Sequence, residues 1–299
     1  MIHARPLMAL AAVASMALTA GCANNEPTAS PGPTRPSSEQ VSVDSRAAAL
    51  VPDPIKKSGV LQIGTNLTYA PDEFKDKDGQ PTGWGIELAT AITKRLGLKP
   101  DYRDSQFDNI IPGLKGGKYD IGWASFTDNK ARQKSVDFVD YYTAGIQWAT
   151  RKGKKVDPLE ACGLTVAVGT GTYQETDEIP AKSKACVAEG KAPIKKLKLD
   201  TQGDITTAVV LGRADAMSAD SPVTQYAVKQ TGGKLALTGH IMDSAPFGIA
   251  LDKDSGRLRK AVAQALQSLI DDGTYGRILE RWGVQAGAVK EVTVNGAKT

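Results

Sequence analysis

The chain has 299 residues, of which 41% are hydrophobic and 23% are charged, and its formal net charge is +4. This length exceeds that of a typical single-core domain, and the composition excludes a wholly disordered or fibrous chain. The small positive excess forms no dense basic stripe, which argues against a nucleic-acid partner.

The first residues have the pattern of an export signal. Arg5 gives a positive amino-terminal region, and an apolar run follows from Leu7 to Ala20. Because a membrane-spanning helix needs about twenty apolar residues, this run is too short to span, and no later stretch comes close. We therefore predict a signal peptide over residues 1–21 and no transmembrane segment in the mature chain.

The signal ends in Leu18-Thr19-Ala20-Gly21-Cys22, which resembles a bacterial lipobox. Lipidation of Cys22 would anchor the protein in the cell membrane, on its extracytoplasmic face; plain secretion with an incidental cysteine is the alternative. The residues that follow are rich in Pro, Ser, Thr and Ala and have no hydrophobic period. We expect residues 22–58 to be a lipidated cysteine and a flexible tether.

Two further cysteines, Cys162 and Cys186, remain once Cys22 is lipidated. In an oxidising compartment a disulfide between them is the simplest prediction, with two buried thiols as the alternative. His240 is the one histidine of the mature chain that could join the pair, so we predict no metal site.

From residue 59 onwards, short β-type runs alternate with helical patterns. The first half contains, in order, a predicted strand, helix, strand, helix and strand, at Val60–Gly64, Ile86–Leu96, Lys99–Tyr102, Phe107–Leu114 and Tyr119–Ser125. In the second half the predicted strands are Leu164–Val168, Ile194–Leu199, Ala214–Ala219 and Phe247–Leu251, and the predicted helices are Pro180–Ala188, Ile205–Leu211, Pro222–Gln230, Leu258–Ile270 and Tyr275–Trp282. This alternation predicts α/β domains with mostly parallel sheets, whose ligands bind beyond the carboxyl ends of the strands.

An ordered set of motifs runs through this region. Its main members are Gly64-Thr65-Asn66-Leu67-Thr68-Tyr69-Ala70-Pro71-Asp72-Glu73-Phe74, Phe107-Asp108-Asn109-Ile110-Ile111-Pro112-Gly113-Leu114, Phe126-Thr127-Asp128-Asn129-Lys130-Ala131-Arg132 and Gly212-Arg213-Ala214-Asp215-Ala216-Met217-Ser218-Ala219-Asp220. The set resembles family 3 of the extracellular solute-binding proteins, the polar amino-acid receptors of ABC importers.

The resemblance implies the type II periplasmic-binding-protein fold, with two α/β lobes joined by two hinge crossovers near residues 141–145 and 243–247. Lobe 1 is expected to comprise residues 59–143 plus 248–285, and lobe 2 residues 144–247. Residues 286–299 are expected to form a C-terminal tail.

An α-amino acid carries a carboxylate and an ammonium, and each needs a partner when it is buried. Arg132 suits the carboxylate, because its guanidinium is a planar fork that keeps its charge. By resemblance, the Thr127 hydroxyl and the main chain at Ser125 assist. Thr172 lies in a turn after a strand and is a further candidate for the carboxylate, with a simple turn as the alternative.

Asp220 ends a predicted strand, and by resemblance it binds the ligand ammonium. Capping of the next helix is an alternative role, and both roles can hold together. Because Arg132 and Asp220 are assigned to different lobes, a zwitterion would bridge them and favour the closed state.

The side chain of the ligand is expected to contact Tyr69, Phe107, Asn66 and Gly169. Tyr69 and Phe107 match the aromatic residues that enclose the ligand in the family, although Phe107 also begins a helical stripe of core type. Asn66 replaces an acid common in relatives, and Gly169 offers no polar group, so the identity of the amino acid stays open. A cationic ligand is expected to fit less well, since no extra acid is found around these two residues.

These observations predict a monomeric, non-enzymatic receptor without a cofactor that delivers an amino acid to a permease and its ATPase. Ectoine or an opine is an alternative ligand, and docking on a membrane kinase is an alternative output. An enzymatic alternative is an active site of the cyclohexadienyl-dehydratase type, for which Glu175 and Asp177 are the nearest acids to the Thr172 turn.

Overall fold

The computed structural model describes residues 41–298 of the chain. The predicted signal peptide, Cys22 and most of the predicted tether lie outside these residues, so they stay predictions. Across residues 41–298, no helix combines the length and the apolar character that crossing a membrane requires.

Helices and strands alternate through the described chain, largely as the sequence predicts. The helices are α1 (Ser45–Ala49), α2 (Asp53–Ser58), α3 (Trp84–Arg95), α4 (Phe107–Lys115), α5 (Ile179–Ala188), α6 (Gln202–Val210), α7 (Ser221–Gln230), α8 (Gly256–Asp271) and α9 (Thr274–Trp282). The strands are β1 (Val60–Thr65), β2 (Thr68–Tyr69), β3 (Glu73–Lys75), β4 (Pro81–Thr82), β5 (Lys99–Asp104), β6 (Ile121–Thr127), β7 (Val136–Arg151), β8 (Thr165–Gly169), β9 (Lys195–Leu199), β10 (Ala216–Asp220), β11 (Leu235–Asp252) and β12 (Thr293–Val294).

One sheet runs through the described residues in the order β5-β1-β6-β11-β7-β10-β8-β9, with β12 on the edge of β7. Within it, β5, β1 and β6 are mutually parallel, and so are β10, β8 and β9. The antiparallel pair β7 and β11 joins these two parallel groups. The predicted α/β fold with mostly parallel sheets is confirmed, and the helices cover the sheet on each side of this central pair.

The predicted hinge crossovers are parts of two long paired strands. Thr143 faces Pro246 and Ala144 faces Ala245 in the β7–β11 ladder, whose register shifts at three places. Asp243 has a φ of 47°, which marks a sharp local change of direction. Buried apolar side chains of β7 as far as Ala144 belong to two core clusters shared with β6 and β11. Those from Ile146 onwards belong to two other clusters, shared with β8 and β10. The central strands therefore pass from one lobe into the other.

The start of the described chain corrects the predicted extent of the tether. Residues 45–58 form α1 and α2, and Asp44 caps α1 by accepting hydrogen bonds from the backbone N–H groups of Arg46 and Ala47. Ala47 and Val51 are fully buried in the core that contains α3 and α8. The expectation of a flexible tether as far as residue 58 is therefore wrong for this stretch, because the apolar residues after Asp44 pack on the first lobe.

The C-terminal residues are also docked. β12 pairs with β7, and the Asn295 side chain accepts a 2.8 Å hydrogen bond from the backbone N–H of Phe138. Farther along, the backbone N–H of Ala297 donates to Asp128, which is buried beside Thr127. The tail thus braces both the central strand and the end of β6.

The second lobe carries the predicted disulfide. Cys162 and Cys186 are joined, and Cys186 is buried in the same core as Trp148 and Val166. The predicted pairing is confirmed, and the alternative of two buried thiols is not realised.

Candidate functional site

A single pocket gathers the residues that the sequence predicts as ligand contacts. Its lining includes Asn66, Tyr69, Phe107, Ser125, Thr127, Arg132, Gly169, Thr172 and Asp220. The strand ends explain this convergence: Asn66 follows β1, Thr127 ends β6, Gly169 ends β8 and Asp220 ends β10. The carboxyl ends of parallel strands meet at one edge of a sheet, where ligands of such folds bind.

Arg132 is held in this pocket by backbone carbonyls from two separate segments of the chain, at the end of β6 and after β8. Its guanidinium donates hydrogen bonds to the backbone carbonyl of Thr127 at 2.8 Å and to that of Gly171 at 3.0 Å. The rings of Phe107 and Phe126 lie 5.4 and 5.8 Å from its central carbon. Burial lowers the pKa of Arg132 to about 10, which Asp220 opposes, so the group is positive at neutral pH. This is a positioned cation suited to a carboxylate.

The turn that carries Arg132 depends on Asn129. The side-chain oxygen of Asn129 accepts a 2.8 Å hydrogen bond from the backbone N–H of Arg132, which closes the turn before the arginine. The Thr127 hydroxyl makes no hydrogen bond to any residue of the described chain. It is therefore available to a ligand bound beside Arg132.

Asp220 faces the pocket and does not cap α7. Its two carboxylate oxygens accept hydrogen bonds from the Tyr69 hydroxyl at 2.7 Å and from the Gln174 side chain at 2.9 Å. No side-chain capping bond is formed, although Asp220 is the residue before α7. Burial raises the pKa of Asp220 to about 6, while the hydrogen bonds from Tyr69 and Gln174 and the charge of Arg132 act in the opposite direction. The carboxylate is thus largely ionised at pH 7.

Ser125 lines the pocket, and its hydroxyl bonds to two acids that are not part of the lining. The hydroxyl lies 2.9 Å from a carboxylate oxygen of Asp72 and 3.1 Å from one of Glu73. Both acids are fully buried behind the pocket wall.

Thr172 lines the pocket, but much of its hydrogen-bonding capacity is used within its turn. Its hydroxyl donates to the carbonyl of Gly169 at 2.8 Å. The nearby Glu175 forms ion pairs with Lys196 and Lys198. Burial raises the pKa of Glu175, but Lys196 and Lys198 outweigh it and hold the pKa below its usual value. Asp177 is exposed and bonds to Thr176, so neither acid is placed as an acid catalyst in the pocket.

The residues predicted to contact the side chain of the ligand also line the pocket. Phe107 is only partly buried and stacks on Phe126 at 4.8 Å, so it forms pocket wall as well as core edge. Asn66 is satisfied locally, since it donates to the Ser105 carbonyl and accepts from the Thr68 hydroxyl.

Several lining residues escaped the sequence analysis, among them Thr170, Gln174, Asp200 and Gln202. Asp200 directly follows β9, so the rule that singled out Asp220 would also have found it. Gln174 opens a single π-helical turn over Gln174–Glu178, a local irregularity that sequence does not announce. Asp200 lines the pocket together with Asn66 and Gly169. The expectation that no extra acid would be found there to pair with a cationic ligand is therefore wrong.

The family model of the bacterial extracellular solute-binding proteins, family 3, matches residues 61–285. The arginine-binding protein ArgT of Corynebacterium glutamicum is 40% identical over 97% of this chain and 96% of its own length. The L-cystine-binding protein TcyJ of Escherichia coli K12 is 31% identical over 76% of this chain and 84% of its own.

Solved structures agree with this relationship. An ancestral arginine-binding protein bound to arginine has a TM-score of 0.69 and 33% identity, and the match covers 75% of this chain and 98% of that one. An ancestral amino acid-binding protein, a precursor of cyclohexadienyl dehydratase, has a TM-score of 0.67 and 34% identity, with 78% and 99% covered. The chain therefore belongs to the bacterial extracellular solute-binding proteins of family 3.

Proposed function

We propose that this protein captures a polar α-amino acid between its two lobes, with L-arginine as its principal ligand, and delivers it to the permease of an ABC importer. The observation that carries the proposal is the position of Arg132 and Asp220 in one pocket. In this proposal the two residues belong to opposite lobes. Arg132 supplies a fork for the carboxylate, with Thr127 and the Ser125 main chain beside it. Asp220 supplies the counter-charge for the ammonium.

Arginine is favoured by the charges around the pocket. Among the described residues that line the pocket, two are acidic, Asp200 and Asp220, and one is basic, Arg132. A ligand with a carboxylate, an ammonium and a cationic side chain can pair with all three groups, whereas a neutral amino acid leaves the exposed carboxylate of Asp200 to solvent. The relative that is 40% identical over nearly the whole chain is an arginine-binding protein, which points the same way.

The mechanism follows from the contacts that cross between the lobes. The Tyr69 hydroxyl contacts Asp220, and Arg132 contacts the carbonyl of Gly171. A zwitterion that bonds to Arg132 and Asp220 at once adds further links between the lobes, so binding stabilises the closed state. In this proposal residues 59–143 plus 248–285 move against residues 144–247 about the β7–β11 hinge.

A thermal-shift screen of the purified protein tests the ligand class. The panel holds the twenty amino acids, ectoine, octopine and prephenate. A ligand at a hundredfold excess over its Kd stabilises the folded state by about 2.7 kcal/mol. We expect L-arginine to give the largest shift and to remain unconsumed. If prephenate alone shifted the midpoint and phenylpyruvate were formed, the protein would be an enzyme and not a receptor. If no compound shifted the midpoint, the proposal would be wrong.

We also propose that Cys22 is lipidated and anchors the protein to the outer face of the cell membrane. The small residues before it and the apolar run before those support the proposal. Expression of the full chain and of Cys22→Ser, followed by membrane fractionation, tests it. We expect the wild type in the membrane fraction and the variant in the soluble exported fraction; equal partition would contradict anchoring through this residue.

A further inference from the structure

Two consecutive carboxyl groups, those of Asp72 and Glu73, lie buried behind the ligand pocket. Both side chains have 0% exposure. Their hydrogen-bond partners are neutral: the Trp84 indole donates to Asp72 at 2.6 Å, the Trp123 indole donates to Glu73 at 3.1 Å, and the Ser125 hydroxyl contacts both acids. Neither acid forms an ion pair with a basic residue of the chain between positions 41 and 298. Buried carboxylates without a cation are costly, so their protonation must be considered.

The number of hydrogens available between Ser125 and the two acids indicates that Asp72 and Glu73 share one proton. Ser125 Oγ lies 2.9 Å from Asp72 Oδ2 and 3.1 Å from Glu73 Oε2, but a hydroxyl has one hydrogen to donate. If both acids were ionised, one carboxylate would face an oxygen lone pair at this distance. The contacts are satisfied when one acid is protonated and donates to Ser125, while Ser125 donates to the other, ionised acid. The unit then holds one proton and one negative charge.

The pKa directions identify Glu73 as the acid that holds the shared proton. Burial raises the pKa of Glu73 well above its usual range, and the charge of Asp72 raises it further. Burial also raises the pKa of Asp72, to about 7, while the hydrogen bonds from Trp84 and Ser125 lower it. Asp72 is therefore the acid that carries charge near neutral pH.

The unit is coupled to the pocket through Ser125 and through Asp220. Ser125 has a φ of 49°, in the left-handed region that residues with side chains rarely adopt. Its two carboxyl contacts hold it there, in the lining of the pocket. The charge of Asp220 raises the pKa of both Asp72 and Glu73, so the unit lies within electrostatic reach of the proposed ammonium site.

We propose that Asp72, Glu73 and Ser125 form one proton-sharing unit that positions the Ser125 main chain and places a buried negative charge behind the ligand ammonium. Asp72 and Glu73 are positioning residues, and the inference rests on the proposed function. Because the ammonium favours the ionised form of Asp72, ligand binding releases a proton near neutral pH. Affinity therefore rises as the pH rises through this range.

Other titratable groups near Asp72 and Glu73 could also make ligand affinity depend on pH. Four tyrosines approach from three strands: Tyr69 on β2, Tyr102 on β5, and Tyr141 and Tyr142 on β7. Burial raises the pKa of all four, so they are neutral at pH 6–8. Asp220, at the end of β10, is the other acid in reach, and its pKa of about 6 lies below that of Asp72.

The experiment measures L-arginine affinity by titration calorimetry between pH 5.5 and 8.5, in buffers with different ionisation enthalpies. We expect the wild type to release a proton on binding near pH 7. Asp72→Asn should bind about tenfold more weakly at pH 8 and should lose the rise in affinity between pH 6.5 and 8. An unchanged affinity and pH profile in Asp72→Asn would overturn the inference, whereas a wild type that binds no amino acid would overturn the proposed function itself.

Glu178→Gln is the matched control. Glu178 is also buried and also accepts hydrogen bonds from an indole and a serine hydroxyl, those of Trp148 and Ser218, but it does not line the pocket. We expect it to leave the affinity and its pH profile unchanged. If Glu178→Gln changed both as Asp72→Asn does, a general effect of removing a buried acid would replace the inference.

A spectroscopic readout keeps the inference testable without ligand. Infrared difference spectra between the wild type and Glu73→Gln at pH 7 should show the carbonyl stretch of a protonated carboxyl in the wild type. If the difference showed only an ionised carboxylate, the proton assignment to Glu73 would be wrong.

Discussion

The hydroxyl of Tyr69 donates a 2.7 Å hydrogen bond to Asp220, and the backbone N–H of Asp220 donates a 3.2 Å hydrogen bond back to the same hydroxyl. These residues stand 151 positions apart, and the proposed function assigns them to opposite lobes. The Tyr69 hydroxyl thus holds the carboxylate proposed to meet the ligand ammonium, and it does so across the cleft.

This relationship makes Asp220→Asn informative. The amide keeps the shape and can still accept from Tyr69, but it removes the charge opposite the ammonium. We expect L-arginine binding to weaken by about 2–5 kcal/mol, as for one partner of a buried charge pair. The measurement compares L-arginine with N-acetyl-arginine by calorimetry. Equal weakening of both ligands would contradict the ammonium assignment.

Arg132→Ala should remove ligand binding while the empty protein stays folded. Within residues 41–298 the guanidinium donates its hydrogen bonds to two backbone carbonyls, of Thr127 and Gly171, and forms no ion pair. Its loss removes the positive charge that lowers the pKa of Asp220, and that carboxyl can take up a proton instead. We expect a loss of affinity of at least about thirtyfold, from about 2–5 kcal/mol. Arg103→Ala removes an exposed arginine paired with Asp101 and serves as the control. Loss of folding in Arg132→Ala would mean that the residue is structural.

Asp200→Asn should change the choice between arginine and citrulline. Asp200 is exposed at the edge of the pocket and accepts a 2.8 Å hydrogen bond from Thr170, which an amide oxygen can also accept. Because the carboxylate is exposed, its pairing with a guanidinium is worth about 0.2–1 kcal/mol. We expect arginine affinity to fall up to about fivefold and citrulline affinity to stay constant. Parallel changes for both ligands would show that Asp200 does not sense the side-chain charge.

The sequence predicts the parts of the site that depend on local spacing. Arg132 and Thr127 are five residues apart in one sequence motif, and Asp220 ends a strand. The motif locates the first two residues, and the rule that ligands bind at the carboxyl ends of strands locates the third. The acid pair is different: Asp72 and Glu73 are enclosed by Trp84 and Trp123, which come from separate elements. Burial produced by distant residues leaves no local pattern.

The full length of the long central strands cannot be predicted from hydrophobic periodicity. β7 is buried on nearly all of its residues, so it lacks the alternation that marks a half-buried strand. The helix α1 was overlooked for another reason. Its Asp44 cap and three alanines stand within a region whose Pro and Ser content suggests a tether.

Gly145→Ala should disturb the hinge. A Cβ at this position would lie 2.4 Å from Cγ2 of Ile241 and 2.7 Å from the backbone oxygen of Met242, so β7 and β11 would have to separate. Overpacking of this kind costs about 1–3 kcal/mol. We expect a lower free energy of unfolding and weaker L-arginine binding, measured by denaturation and calorimetry. Gly276→Ala, in α9 with nothing within 4 Å, is the control and should be neutral or slightly stabilising.

The empty protein should be more stable at pH 5 than at pH 8. The folded state raises the pKa of Asp72 to about 7 and that of Asp220 to about 6, in both cases chiefly through burial. Between the unfolded pKa near 4 and these values, the folded state binds more protons than the unfolded state. The free energy of unfolding therefore falls as the pH rises through this window.

Urea denaturation at pH 5, 6, 7 and 8 measures this slope. Asp220→Asn should flatten it between pH 5 and 7, because the amide does not titrate, while Asp254→Asn, at an exposed position, should leave it as in the wild type. Saturating L-arginine should reduce the slope, since the ligand ammonium stabilises the ionised acids. An empty protein whose stability rose from pH 5 to pH 8 would contradict the raised pKa values and, with them, the uncompensated negative charge around the pocket.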